Sequence, residues 1–118
     1  MAKSKQTKAR EFSAKARKEI KARDGDCIFC KMGYHMAPEA GYLNSIMHYI
    51  PRSKNGLGVP QNGAVGCQYH HTMLDNGNQG RREEMLEIFR EYLKEHYPDW
   101  DEKNLVYTKW SFLEGGTV

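Results

Sequence analysis

The longest regular hydrophobic pattern lies near the C-terminal end, where Met85, Ile88, Phe89, Tyr92, Leu93 and Tyr97 recur three or four residues apart and Pro98 ends the run. Such spacing lays one apolar stripe along a helix and predicts an amphipathic helix over residues 81–97. A shorter helix is predicted over Ala14–Arg23, with Ser13 as its N-cap, Phe12, Ala16 and Ile20 turned inward, and Asp24-Gly25-Asp26 as its stop. Between Cys30 and Tyr42 no period holds, and Gly33, Pro38 and Gly41 suggest loop. Tyr42 to Ile50 is apolar, with β-branched and aromatic residues, and predicts a strand closed by Pro51. Ala64–Gly66 suits a short second strand, and Gln68–Asp75 a turn or two of helix stopped by Asn76-Gly77. The segment between the strands, RSKNGLGVPQNG, is long for so small a domain, and such loops are either functional or disordered. Leu105, Val106, Tyr107, Trp110 and Phe112 are expected to fold back on the core, as a last strand or as irregular chain.

The elements give an α+β domain. At 118 residues one domain is expected, with residues 1–12 as a disordered basic tail and 13–118 as the folded unit. Hydrophobic residues are 39% of the chain and mean hydropathy is -0.81, so a modest core needs further support, for which a structural metal is the obvious source. Residues 1–23 carry nine Lys or Arg against Glu11 and Glu19, while the whole chain is only +3, so the remainder is net acidic. A basic block of this kind either contacts a polyanion such as nucleic acid or is a solvated tail. Three cysteines and no apolar stretch for a signal peptide or membrane span argue against a disulfide framework and point to a cytoplasmic setting.

Cys27-x2-Cys30 and Cys67-x2-His70 are two pairs at the spacing that lets a tight turn present two ligands to one tetrahedral ion. Thiolate and imidazole suit zinc, and four protein ligands leave no open position, so the expected site is structural. The competing reading is two buried or redox-active thiols and an unrelated core cysteine.

The segment Met47-His48-Tyr49-Ile50-Pro51-Arg52-Ser53, followed by Asn62 and by Cys67-x2-His70-His71, resembles the HNH family of nucleases over about residues 17–77. The resemblance implies a ββα-metal core over about residues 42–77, a member of the His-Me finger group, flanked by the basic N-terminal and amphipathic C-terminal helices. It implies His48 as general base, Asn62 as the brace of the loop and His71 as ligand of a catalytic divalent ion, magnesium, manganese or another. The chemistry fits independently, since imidazole accepts a proton near neutrality and an amide can satisfy backbone groups inside a loop.

Where the family often has a second metal ligand, before the catalytic histidine, this chain has Met47, whose thioether is a poor partner for a hard ion. Asp75, four residues after His71, is expected to compensate, because that spacing puts both on one helical face and a carboxylate suits a hard ion better than Thr72 or Asn76. Each residue also has a quieter reading: a core histidine, a turn asparagine, a carboxylate in a helix-ending turn. Arg52 and Lys54 in the loop, with Arg17 and Lys18 on the basic helix, are the expected contacts to the backbone of double-stranded DNA. Small free-standing proteins of this family resemble those of phages and prophages, which implies a phage-encoded or bacterial protein with packaging or genome-processing partners. The alternative from another class is a zinc-binding DNA-binding or adaptor module that keeps the scaffold without catalysis.

Overall fold

The computed structural model describes residues 5–36, 43–77 and 80–107. Its elements are α1 (Lys5–Arg10), α2 (Ala14–Asp24), α3 (Ile28–Lys31), β1 (Asn44–His48), β2 (Gly63–Cys67), α4 (Gln68–Asn76) and α5 (Arg82–His96), with single 3-10 turns at Arg52–Lys54, Pro60–Asn62 and Glu102–Leu105. Mixed helices thus surround a two-stranded antiparallel sheet.

Ser13 caps α2 by accepting the Ala16 N–H at 3.0 Å, and Gly25, at φ 75°, ends it by donating its N–H to the Lys21 carbonyl. The left-handed φ is what a glycine supplies there without strain. Ala16, Ile20 and Asp24 recur every four residues and are the buried face of α2. In the sheet Asn44 pairs with Cys67, Ile46 with Val65 and His48 with Gly63. Because side chains alternate along a strand, the sheet separates two apolar clusters. Ile46 and Val65 join Phe12, Ala16 and Ile20, whereas Met47 and Ala64 join Ile28, Phe29, Met73, Leu74, Met85, Phe89 and Leu93. β2 is therefore buried along its whole length.

The loop between the strands folds back on itself. The Gly56 N–H donates to the Pro51 carbonyl at 2.9 Å, and a Cβ at Gly56 would stand 1.7 Å from the Ile50 carbonyl oxygen. Only glycine allows that approach. The far side of the loop pairs with the chain after α5, through Leu57 N–H to Leu105 carbonyl at 2.8 Å and Tyr107 N–H to Asn55 carbonyl at 2.7 Å.

Several boundaries differ from the expected ones. The first strand spans Asn44–His48 and not Tyr42–Ile50; Tyr42 lies outside the described residues. Residues 5–10, expected to be disordered, are helical, while Phe12 is turned inward as expected. The reason is a docking contact that composition does not show: Gly58 donates its N–H to the Ala9 carbonyl at 2.8 Å. Leu105 is buried and Val106 bridges Gly56, while Trp110 and Phe112 lie outside the described residues.

Candidate metal centre and active site

The two cysteine-bearing turns meet. Cys27 sits before α3 and Cys30 within it; Cys67 ends β2, and His70 lies in the first turn of α4. Their ligand atoms all lie within 4.8 Å of one another. His70 Nδ1 is 3.6 Å from Cys27 Sγ, 3.5 Å from Cys30 Sγ and 3.3 Å from Cys67 Sγ, and Cys30 Sγ is 3.7 Å from Cys67 Sγ. A tetrahedral ion with Zn–S near 2.3 Å and Zn–N near 2.0–2.1 Å separates its ligand atoms by roughly 3.5–3.8 Å. The four residues can hold a metal ion such as zinc.

Their surroundings fit that use. All three cysteines are free thiols, and burial together with the neighbouring thiols pushes Cys30 up to about 12. Cys27 is pushed up as well, chiefly by burial, and a bound cation would offset the charge of such thiolates. His70 Nε2 donates to the Tyr34 carbonyl at 2.6 Å, which leaves Nδ1 with the lone pair facing the sulfurs. The Cys30 N–H points to Cys27 Sγ at 3.5 Å. Asp26 Oδ1 accepts from the Cys27 N–H at 2.7 Å and from Asn44 Nδ2 at 3.1 Å, which ties the first turn to β1.

His48, the last residue of β1, lies on the sheet face that carries Ile46 and is half-buried. Its Nε2 is 2.8 Å from the Arg10 carbonyl oxygen. A carbonyl can only accept, so the neutral ring carries its proton on Nε2 and its lone pair on Nδ1. The Phe12 ring packs on it at 4.3 Å between centroids. Burial lowers its pKa most; the Arg10 hydrogen bond opposes this, and the charges of Arg52, His71 and Arg17 add to the lowering.

Asn62 is fully buried. Its Oδ1 accepts the Ile50 N–H at 2.8 Å, and its Nδ2 donates to the carbonyls of Ile50 at 3.1 Å and Leu57 at 2.8 Å. One amide therefore satisfies backbone groups at the start and middle of the loop that follows His48.

His71 and Asp75 share one face of α4, with Nε2 and Oδ2 3.4 Å apart and side chains 30% and 66% exposed. Ser45 Oγ lies 2.7 Å from His71 Nδ1. A ring that donates Nδ1–H to Ser45 presents the Nε2 lone pair beside a carboxylate, a donor set that suits a divalent ion with solvent-filled positions. Asp75 also borders a cleft of about 740 Å³ lined by Tyr49, Pro51, Ser53, Lys54 and Arg82 among others. Met47 takes no part: it is 0% exposed, in the cluster on the other face from His48.

Of the expected DNA contacts, Arg17, Lys18, Arg52 and Lys54 are all exposed. Arg52 pairs with Glu11 at 3.6 Å on the surface, an interaction that solvent keeps weak. Arg23, by contrast, leaves the basic surface. Its guanidinium bonds Asp24 through Nε at 2.6 Å and Nη2 at 3.0 Å and donates to the carbonyls of Pro60 and Gly63. Asp24 in turn accepts from the Tyr92 hydroxyl and, at 2.8 Å, from the Val65 N–H. This buried clamp joins α2, the loop, β2 and α5.

Sequence reasoning missed the clamp, Ser45 and the two carbonyls of Arg10 and Tyr34. Strand register sets Ser45 and a backbone carbonyl has no side-chain signature, so neither carried a signal in the sequence. No protein-family model, curated protein or solved structure matches the chain. No helix among the described residues is long and apolar enough to cross a membrane.

Proposed function

We propose that the chain is a metal-dependent endonuclease or nicking enzyme that hydrolyses phosphodiester bonds in DNA on an HNH-type scaffold. The observation that carries this reading is His48: a half-buried imidazole at the end of β1 whose Nε2–H meets the Arg10 carbonyl at 2.8 Å, which leaves the Nδ1 lone pair as the proton acceptor. The order of a strand ending in His48, a loop buckled by Asn62, a second strand and a helix carrying His71 supports this reading. Zinc at Cys27, Cys30, Cys67 and His70 ties the base of that unit and takes no part in the chemistry.

In this reading Nδ1 of His48 takes a proton from water as the water oxygen bonds to phosphorus. The bond from phosphorus to the leaving ester oxygen breaks, and that oxygen gains a proton from solvent. His71 and Asp75 would hold a divalent ion, which when bound stabilises the added negative charge on the phosphate. Arg52, Lys54 and Arg17 offer positive charge around His48 and beside the cleft, where a DNA backbone is attracted whatever its sequence.

A second reading is favoured by Met47. Its burial removes position 47 as a source of a metal ligand, as expected of a zinc-binding adaptor that has lost catalysis. Metal stoichiometry separates the two. The enzyme binds one zinc and, in a manganese titration, a second ion whose affinity falls in Asp75→Ala; zinc alone would make the chain an adaptor.

A further inference from the structure

We infer that the segment Ala9–Phe12 is a positioning strap for His48, in which the Arg10 carbonyl and the Phe12 ring hold the imidazole in one tautomer and one orientation. The inference rests on the nuclease reading for its purpose, though not for its geometry. Arg10 is the last residue of α1, where a helix leaves its carbonyls without intrahelical partners, and His48 Nε2–H meets that carbonyl at 2.8 Å.

The strap is built into the loop it crosses. Gly58 donates to the Ala9 carbonyl, and a Cβ on Gly58 would stand 2.1 Å from the Glu11 carbonyl oxygen. A Cβ on Gly63 would meet the Phe12 ring at 2.5 Å. Arg10 Nη1 also donates to the Arg52 carbonyl at 3.0 Å. Two glycines thus make room for the strap's backbone and ring, and its contacts converge on the base and on the loop after it. The charged groups acting on His48 come from α2 (Arg17), the loop (Arg52) and α4 (His71); the strap itself offers the ring a carbonyl and an aromatic face. A basic tail serving only solubility requires none of these contacts.

The test uses the full chain, zinc-loaded and labelled with 15N in histidine. Glu11→Pro disfavours the helical conformation of Arg10 and turns its carbonyl away, and Gly58→Ala lifts the strap from the loop. In the wild type, long-range 1H–15N spectra should show His48 above its titration with the proton on Nε2 alone. In variants that keep zinc and cooperative unfolding, the ring should become a mixture of tautomers, and kcat for plasmid cleavage should fall about 10-fold or more with KM unchanged. A wild-type ring that is itself a mixture, or folded variants that keep the single Nε2–H form, would overturn the strap. Wild type that cuts no DNA would remove the nuclease reading, while the spectra still decide the strap.

Discussion

Cys27, Cys30, Cys67 and His70 come from two turns far apart in the chain, and their convergence is the strongest chemical feature of the molecule. Removing one thiolate from a four-ligand set leaves a site that no longer closes, and in small metal-stapled domains binding energy is also folding energy. Cys30→Ser or Cys67→Ser should therefore lose stoichiometric zinc and cooperative unfolding together, read by metal analysis and a thermal melt. Stoichiometric zinc with a wild-type melt in either variant would disprove the four-ligand assignment. His48 carries a second expectation at this scale. Burial first, then the charges of Arg52, His71 and Arg17, hold it below the ordinary 6.5 against the opposing Arg10 hydrogen bond. The unfolded chain then takes up the proton before the folded one, so this contribution to stability is present above 6.5 and lost as pH falls toward the folded value. His48 thus stays neutral to lower pH than a free histidine does, which would suit the base proposed for cleavage. The acid limb of a cleavage profile should have its midpoint below 6.5; a midpoint at or above it would contradict the environment described for the ring.

At the scale of elements, the two faces of the sheet decide what each residue of β1 can do. Met47 precedes His48 in sequence yet lies on the opposite face, against the apolar cluster of Met73, Met85 and Phe89. The motif makes position 47 look like a vacant ligand position; strand alternation makes it core. Met47→Asp should accordingly destabilise the zinc-loaded protein by about 3–5 kcal/mol, the usual cost of an uncompensated buried charge, and should not raise activity. A wild-type urea midpoint together with faster cleavage would mean that position 47 faces the site after all. The same scale explains what the chain made readable. Ser13 as cap, the apolar stripe of α5 and the His71–Asp75 spacing are local patterns, and local patterns are what periodicity and capping rules detect. The helix at Lys5–Arg10 was not readable, because it is held by Gly58 and His48, which lie far along the chain.

Across the whole molecule, charge and burial divide differently than composition suggests. Arg23 counts toward a basic N-terminal block in sequence, but with 9% of its side chain exposed it belongs to the clamp around Asp24. Only the fold distinguishes such an arginine from Arg17, six positions earlier and exposed on the same helix. The metal cluster was legible in the spacing of Cys27, Cys30, Cys67 and His70, whereas His48, Asn62 and His71 were named through the resemblance to a family. What orients them was not legible, since the Arg10 and Tyr34 carbonyls carry no side-chain signature and Ser45 is set by strand register. The molecule that results has its Cys/His cluster beside the Asn44–Cys67 end of a small sheet and His48 at the other end, with the loop buckled by Asn62 between strands. On the proposed reading His48 activates water for phosphodiester cleavage. The most direct measurement is cleavage of supercoiled plasmid by the zinc-loaded wild type and His48→Ala with magnesium, manganese or nickel. Metal-dependent nicking or linearisation by the wild type is expected, with a loss of about 10²–10⁴-fold in His48→Ala and zinc content retained; no cleavage by the wild type with any of these ions, or equal cleavage by the variant, would rule out a base at His48.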